Sequence, residues 1–386
     1  MDKVAVACQG GGMHAAFEVG VLTEILKDVK GNQFELVGLS GTSAGALCVL
    51  MVWYGLAPKN GRDGSVDEAI RGLERFWDDF VAKTDAETLL NRVTYETLKA
   101  EEEEILGVNA PVFASLNPYG AIYKVFADCL PSLGVRKQYF DLKDMLAKAC
   151  PEFDRIEWPK VKTRVLIGAS EVVNGFETVF DSDVKKRMQL ENRGMQRVKK
   201  PKDRARYWRQ RLPLSLPGVA ASGTLPTLRE AERVDGGYYW DGLYSQNPPV
   251  REFLAGTEEV PDELWIVRIN PQQWPHVPKS NKDIQDRQNE LMGNLSLNKE
   301  LDFIMTVNAW NEVYKGEKFA KDHKHVTVRT IKMEKKTADH LAYSSKFNRS
   351  HDFMEKLRDE GQRVAQRWLG EWKKKSVKEY PEDAAF

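Results

Sequence analysis

Apolar residues in this chain fall into short runs closed by glycine and longer stretches at helical spacing. Residues 4–8 (VAVAC) form one such run, ending at Gly10-Gly11-Gly12, and the following AAFEVGVLTEIL repeats its apolar positions every three to four residues. This predicts strand, glycine loop, helix. FELVGLS (34–40) predicts a second strand, stopped by Gly41, and AGALCVLMVWYGL a helix apolar on nearly every side. A β-α-β-α opening implies a mostly parallel sheet covered by helices, with ligands beyond the carboxyl ends of the strands. Strand character returns at TRVLIGAS (163–170), ETVF (177–180), ERVDGGYYW and ELWIVRI (263–269). Between about 60 and 160 the pattern is mainly helical, broken by an irregular PVFASLNPYG placed to serve as a lid, and the stretch after 275 reads as helical and charged. No internal repeat is present. The expected organisation is an α/β catalytic domain over 1–275 and a helical C-terminal extension over 276–386, packed on the same body.

Charge changes this picture at one place. Lys plus Arg and Asp plus Glu both total 57, so no whole-chain field draws the protein to nucleic acid or membrane. Yet Lys185–Arg211 carries 12 Lys or Arg against only Glu191 and Asp203, and holds Tyr207 and Trp208. Two readings fit it: a solvated surface segment, or a peripheral contact with an anionic membrane. No apolar run approaches the roughly 18 residues needed to span a bilayer, and MDKVAVACQGGG lacks the form of a secretory signal. The four cysteines, Cys8, Cys48, Cys129 and Cys150, are scattered, which fits neither a disulfide framework nor a zinc site and favours the cytoplasm.

Candidate chemistry centres on Gly41-Thr42-Ser43-Ala44-Gly45, a GxSxG sequence between a predicted strand and a predicted helix. At such a turn the serine oxygen is lifted out of the sheet, and the flanking small residues are required by the tight bend. The helix start directs free N–H groups at charge developing on a substrate carbonyl, with Ala44 the natural donor. The first glycine loop, Gly10, Gly11, Gly12 and Met13, offers further oxyanion donors. Gly10-x-Gly12-x-x-Ala15 also satisfies a dinucleotide fingerprint, but the second strand ends in Ser40-Gly41 where that fingerprint needs an acid. A Walker A loop is excluded by the missing Gly-Lys-Ser/Thr.

Together GGGMHAAFEVGVL, GTSAGA, ASGTLP (221–226) and YWDGLYSQNPP (239–249), in this order, resemble the patatin-like phospholipase family. DRQNELMGNLSLNKEL and SSKFNRSHDFMEKLRDEGQRVAQRWL look like the C-terminal region of a bacterial subgroup of it. The resemblance implies a three-layer α/β/α sandwich, a lipid or other ester as substrate, a Ser–Asp dyad, an oxyanion hole on the glycine loop, and no metal or other cofactor. Two aspartates compete for the dyad. Asp235-Gly236-Gly237 matches the family triplet literally, whereas Asp241 is followed by Asn247 and Pro249 at the spacing the family shows. Asp-Gly between two aromatic or apolar runs is also a hairpin signal. Asp241 is preferred, with Asp235 the alternative. Where the family often has Arg or Lys, this chain has His14, followed by Ala15.

Two rivals remain at the level of sequence. A Ser-His-Asp hydrolase would have to draw its histidine from His14, His276, His323, His325, His340 or His351, but in that architecture the nucleophile follows several strands rather than the second. A non-catalytic lipid-binding or scaffold protein would have no need of both Ser43 and Asp241. Asp322-His323-Lys324-His325 has no surrounding ligands that would make it a metal site.

Overall fold

The computed structural model describes residues 1–102, 119, 121–192, 209–226, 228–254, 260–274, 276–317 and 323–381. Its strands are β1 (Lys3–Cys8), β2 (Glu35–Thr42), β3 (Arg164–Glu171), β4 (Glu177–Asp181), β5 (Arg209–Pro213), β6 (Glu232–Val234), β7 (Gly237–Asp241), β8 (Glu263–Arg268) and β9 (Thr327–Lys332). They form one sheet in the order β5-β4-β3-β2-β1-β8-β9. From β3 to β9 neighbours are parallel, while β4 runs against β3. The β6–β7 hairpin joins β3 through β7, also antiparallel.

Helices cover both faces. They are α1 (Ala16–Lys30), α2 (Ala44–Leu56), α3 (Val66–Phe80), α4 (Asp85–Glu102), α5 (Ala121–Cys129), α6 (Lys137–Phe140), α7 (Leu142–Ala149), α8 (Ser182–Asn192), α9 (Leu216–Ser222), α10 (Asn281–Val313) and a C-terminal helix, His351–Lys373. One face packs α1, α2, α3, α7, α9 and the C-terminal helix into the larger apolar core, with Phe17, Leu50, Trp53 and Ile167 at its centre. On the other face Leu297, Leu301 and Ile304 of α10 pack on Ala5, Leu166 and Ile266. This is the expected three-layer α/β/α arrangement. Helix α2 is buried along almost its whole length, as its uninterrupted apolar sequence requires.

Three expectations need correction or restriction. The stretch after 275 is not wholly helical: Thr327–Lys332 is a strand that extends the sheet beside β8. Part of the basic segment is structural, since Arg209 and Arg211 lie in β5, where Arg209 pairs with Glu252 and Glu300 and Arg211 pairs with Asp181. Its residues 193–208, among them Lys199, Lys200, Lys202, Tyr207 and Trp208, lie outside the described residues, as does PVFASLNPYG apart from Tyr119. Within the helical region α3 is no detached lid, for Ala69, Leu73, Phe76 and Trp77 are buried in the main core. Among the described residues no helix is long and apolar enough to cross a membrane.

Candidate active site

Strand β2 pairs with β3 as far as Thr42↔Gly168, and the chain turns into α2 at the next residue. Ser43 occupies that turn with φ 55° and ψ −127°, a region that non-glycine residues enter only under constraint. Crowding explains the flanking glycines: a Cβ on Gly41 would lie 2.5 Å from Gly45 O, and one on Gly45 would lie 2.5 Å from Cys8 O. The Ser43 N–H donates to Ser222 Oγ at 2.9 Å, and that hydroxyl donates to Gly168 O at 2.6 Å. Ser222 therefore ties the bend to β3. Ala44 opens α2, so its N–H has no acceptor within the helix.

Sheet topology brings the aspartate to the serine. Strand β4 holds one edge of β3 over Leu166–Ser170, so β7 takes the other edge where β2 leaves it and pairs Asp241 with Ala169. That is one residue beyond the Thr42 partner. The Asp241 carboxyl is fully buried; its Oδ1 accepts from Leu243 N at 2.8 Å. Burial pushes its pKa up to about 7, against the opposing pull of the Ser43 hydroxyl and the Leu243 N–H. By distance and angle, however, Oδ2 has no hydrogen-bond partner among the described residues, so the contact with Ser43 is a loose one. Such looseness is ordinary before substrate binds. Asp235 is not brought to Ser43: it sits exposed in the two-residue turn between β6 and β7, with φ 46° and Gly236 at 87°.

The glycine loop lies against the serine, because a Cβ on Gly10 would come within 2.7 Å of Ser43 Cβ. Its N–H is already given to Asn247 Oδ1 at 2.5 Å, so Gly10 anchors the loop and is not a free donor. Asn270 Nδ2 donates to Gly10 O at 3.0 Å. Gly12 adopts φ +58°, and a Cβ there would lie 2.5 Å from Lys346 O. Met13 is half-buried beside the core. His14 is buried with Nε2 2.7 Å from Ser345 Oγ, and burial together with the nearby Lys346 cation holds its pKa well below the ordinary range. His276, His325, His340 and His351 are exposed. Among the described residues no group of three or more His, Cys, Asp or Glu is placed to hold a metal ion.

The sequence singled out Ser43, Asp241, Asn247 and both loops, which the fold brings together, but not Ser222, Asn270 and Lys346, which lie beside them. Ser222 stands within ASGTLP and Lys346 within SSKFNR, so their motifs were visible while their contacts were not. Beside the Asp241 loop a groove of about 690 Å³ opens between the β3–β4 hairpin and α10. Phe176, Trp240, Leu243, Tyr244, Met292 and Leu295 supply its apolar wall.

The family model described as patatin-like phospholipase matches residues 6–254. Among solved structures, the chain is similar to VipD from Legionella pneumophila, with 12% identity and a TM-score of 0.36, covering 93% of this chain and 67% of that one. It is also similar to a chain of the heterodimeric ExoU–SpcU complex from the type III secretion system of Pseudomonas aeruginosa, with 12% identity and a TM-score of 0.27, covering 95% of this chain and 52% of that one. No curated protein matches its sequence.

Proposed function

Because the chain belongs to the patatin-like phospholipase family and is on that ground a lipid acyl hydrolase, we propose that it works by two-step acyl transfer with Ser43 as nucleophile and Asp241 as base. The observation that carries this reading is the fully buried Asp241 carboxyl, raised to about 7 and delivered beside Ser43 by the β7–β3 pairing. A carboxylate in bulk water is too weak a base for a serine hydroxyl, and removal from water strengthens it.

In the first step Asp241 takes the Ser43 proton as Oγ bonds to the ester carbonyl carbon, whose oxygen becomes an oxyanion. The amides of Gly11, Gly12, Met13 and Ala44 are the candidate donors to that charge. Collapse expels the alcohol, which takes the proton from Asp241, and leaves an acyl-serine. In the second step Asp241 takes a proton from water, the hydroxide adds to the acyl carbon, and Ser43 leaves with the proton as the free acid departs. No step uses a metal. The groove beside Leu243 and Tyr244 falls within the size range of ligand sites, about 300–1,000 Å³, and suits the chain of a lipid substrate.

The test is hydrolysis of a short p-nitrophenyl ester by purified protein. Ser43→Ala should abolish turnover while leaving the thermal transition near its original position, and Asp241→Asn should be nearly as damaging, because the two act as a unit. Asp235→Asn should keep most activity. Turnover by Ser43→Ala close to the unaltered protein's would refute the mechanism, and the reverse ranking of the aspartates would move the base to Asp235.

A further inference from the structure

We infer that Lys346 is a positioning residue for the glycine loop: its ammonium fixes the orientation of Asn270, and through Asn270 the direction of the Gly11 N–H. This rests on the reading of Ser43 as the nucleophile of an ester hydrolase and extends it to a part of the chain beyond the 6–254 match.

The argument follows donor and acceptor chemistry. An ammonium group only donates, so each partner must present an oxygen. Lys346 Nζ lies 3.2 Å from Asn270 Oδ1 and also donates to Asn289 Oδ1. With its oxygen turned to the lysine, Asn270 has only Nδ2 left for the loop, and that group donates to Gly10 O. The Gly10–Gly11 peptide is trans, so its planar C=O and N–H point in opposite directions. Holding Gly10 O therefore aims the Gly11 N–H. From the other side Asn247 Oδ1 holds the Gly10 N–H. A triple glycine has wide conformational freedom, and these external bonds remove it.

The same short segment grips the loop twice more. Ser345 Oγ meets His14, and the Lys346 carbonyl closes on Gly12 so tightly that a Cβ there would collide with it. Position 14, where the family often carries a cation, here holds an imidazole that burial keeps neutral. The half-buried cation behind the loop is Lys346. Titratable groups facing it are Asp286 and Glu290 of α10 and His14 of the loop; burial outweighs the two carboxylates and lowers its pKa to about 8. A cation there also favours negative charge developing in front of the loop.

The experiment compares Lys346→Met, Lys346→Arg and Asn270→Ala with the unaltered full chain on a short p-nitrophenyl ester. Removing one oxyanion donor outright lowers kcat by about 100- to 1,000-fold. Misdirecting one should lower it about 10- to 100-fold in Lys346→Met and in Asn270→Ala, with KM within about threefold. Lys346→Arg should recover most of the loss. The alkaline fall in kcat, expected near pH 8 where the ammonium loses its proton, should move upward with arginine. Asn270→Ala keeps the cation in place, so it reports on the link even if Lys346→Met folds poorly. Wild-type kcat in Asn270→Ala, or a loss in Lys346→Met that arginine does not recover, would overturn the inference. An unaltered protein without Ser43-dependent hydrolysis would instead overturn the reading on which it rests.

Discussion

A carboxyl group with a pKa near 3.9 in an unfolded chain is carried to about 7 at Asp241. The folded form therefore holds that proton more tightly, and as pH rises from about 4 to about 7 the ionised, buried carboxylate progressively weakens the fold. The slope is at most about 1.4 kcal/mol per pH unit, which bounds the total at roughly 4 kcal/mol, with no further change above pH 7. Asp241→Asn removes the charge while its side-chain oxygen can still accept from Leu243. With Asp241 as the proposed base, it should thus be inactive yet more stable than the unaltered protein at pH 8, with only about a third of the difference left at pH 5. Urea midpoints at the two pH values check this, and a stabilisation equal at both would contradict the assignment. The proposed role as base needs the ionised form, so kcat should rise as the carboxyl ionises around pH 7. Gly10 offers a second check: Gly10→Ala would drive a methyl group against Ser43 Cβ, 2.7 Å away, and Thr42 O, 2.8 Å away, and should nearly abolish activity.

Among the elements, β5 and α10 are joined by a charge network that the sequence disguises. Glu300 of α10 takes hydrogen bonds from Arg209 of β5 at 2.8 Å and from Val250 N at 3.0 Å, and Arg251 lies 3.0 Å from it. Breaking one side of a buried ion pair costs about 3 kcal/mol or more, so Glu300→Ala should lower the thermal midpoint by several degrees. The arginines hold the Glu300 carboxyl below the ordinary carboxylate range, so its contribution is present above the unfolded pKa and is lost as pH falls. A midpoint unchanged at pH 7 would show that Arg209 is satisfied by Glu252 and Glu177 alone. This network also explains what was illegible. RQRLP reads as solvated surface because the acids that neutralise it, Asp181, Glu252 and Glu300, lie far away in sequence. TVRTIK was hidden in a charged tail, since β9 intersperses Arg329 and Lys332 among the buried Val328, Thr330 and Ile331, and Arg329 finds Glu263 on β8. Ser43 and Asp241 were legible for the opposite reason. Their surroundings are set by neighbours within a few residues, Gly41 and Gly45 for the bend, and the spacing to Asn247 and Pro249 for the aspartate. Lys346 has no such local signature, because every group that gives it meaning comes from another element.

Across the whole molecule, the first and last helices touch backbone to backbone. A Cβ on Gly20 would stand 2.0 Å from Arg358 O, and one on Gly361 would stand 2.0 Å from Phe17 O. Gly361→Val should therefore destabilise by about 3 kcal/mol, the upper end of ordinary overpacking, whereas Gly370→Ala on the same helix meets open space and should be neutral or slightly stabilising. Denaturant midpoints of the two variants separate a crossing requirement from a general intolerance of the helix. The glycine loop leads directly into α1, and Ser345 and Lys346 stand just ahead of the C-terminal helix, so the crossing also sets the distance across which the loop is gripped. A temporal consequence follows from this arrangement. On the ribosome Ser43 and Asp241 are both finished while the segment that steadies the glycine loop has yet to be made, and β1, a central strand, waits for Glu263–Arg268 before its second edge is paired. On the proposed mechanism the nascent chain thus carries Ser43 and Asp241 long before it can use them, and hydrolytic competence would wait for the C-terminal helix to emerge and dock.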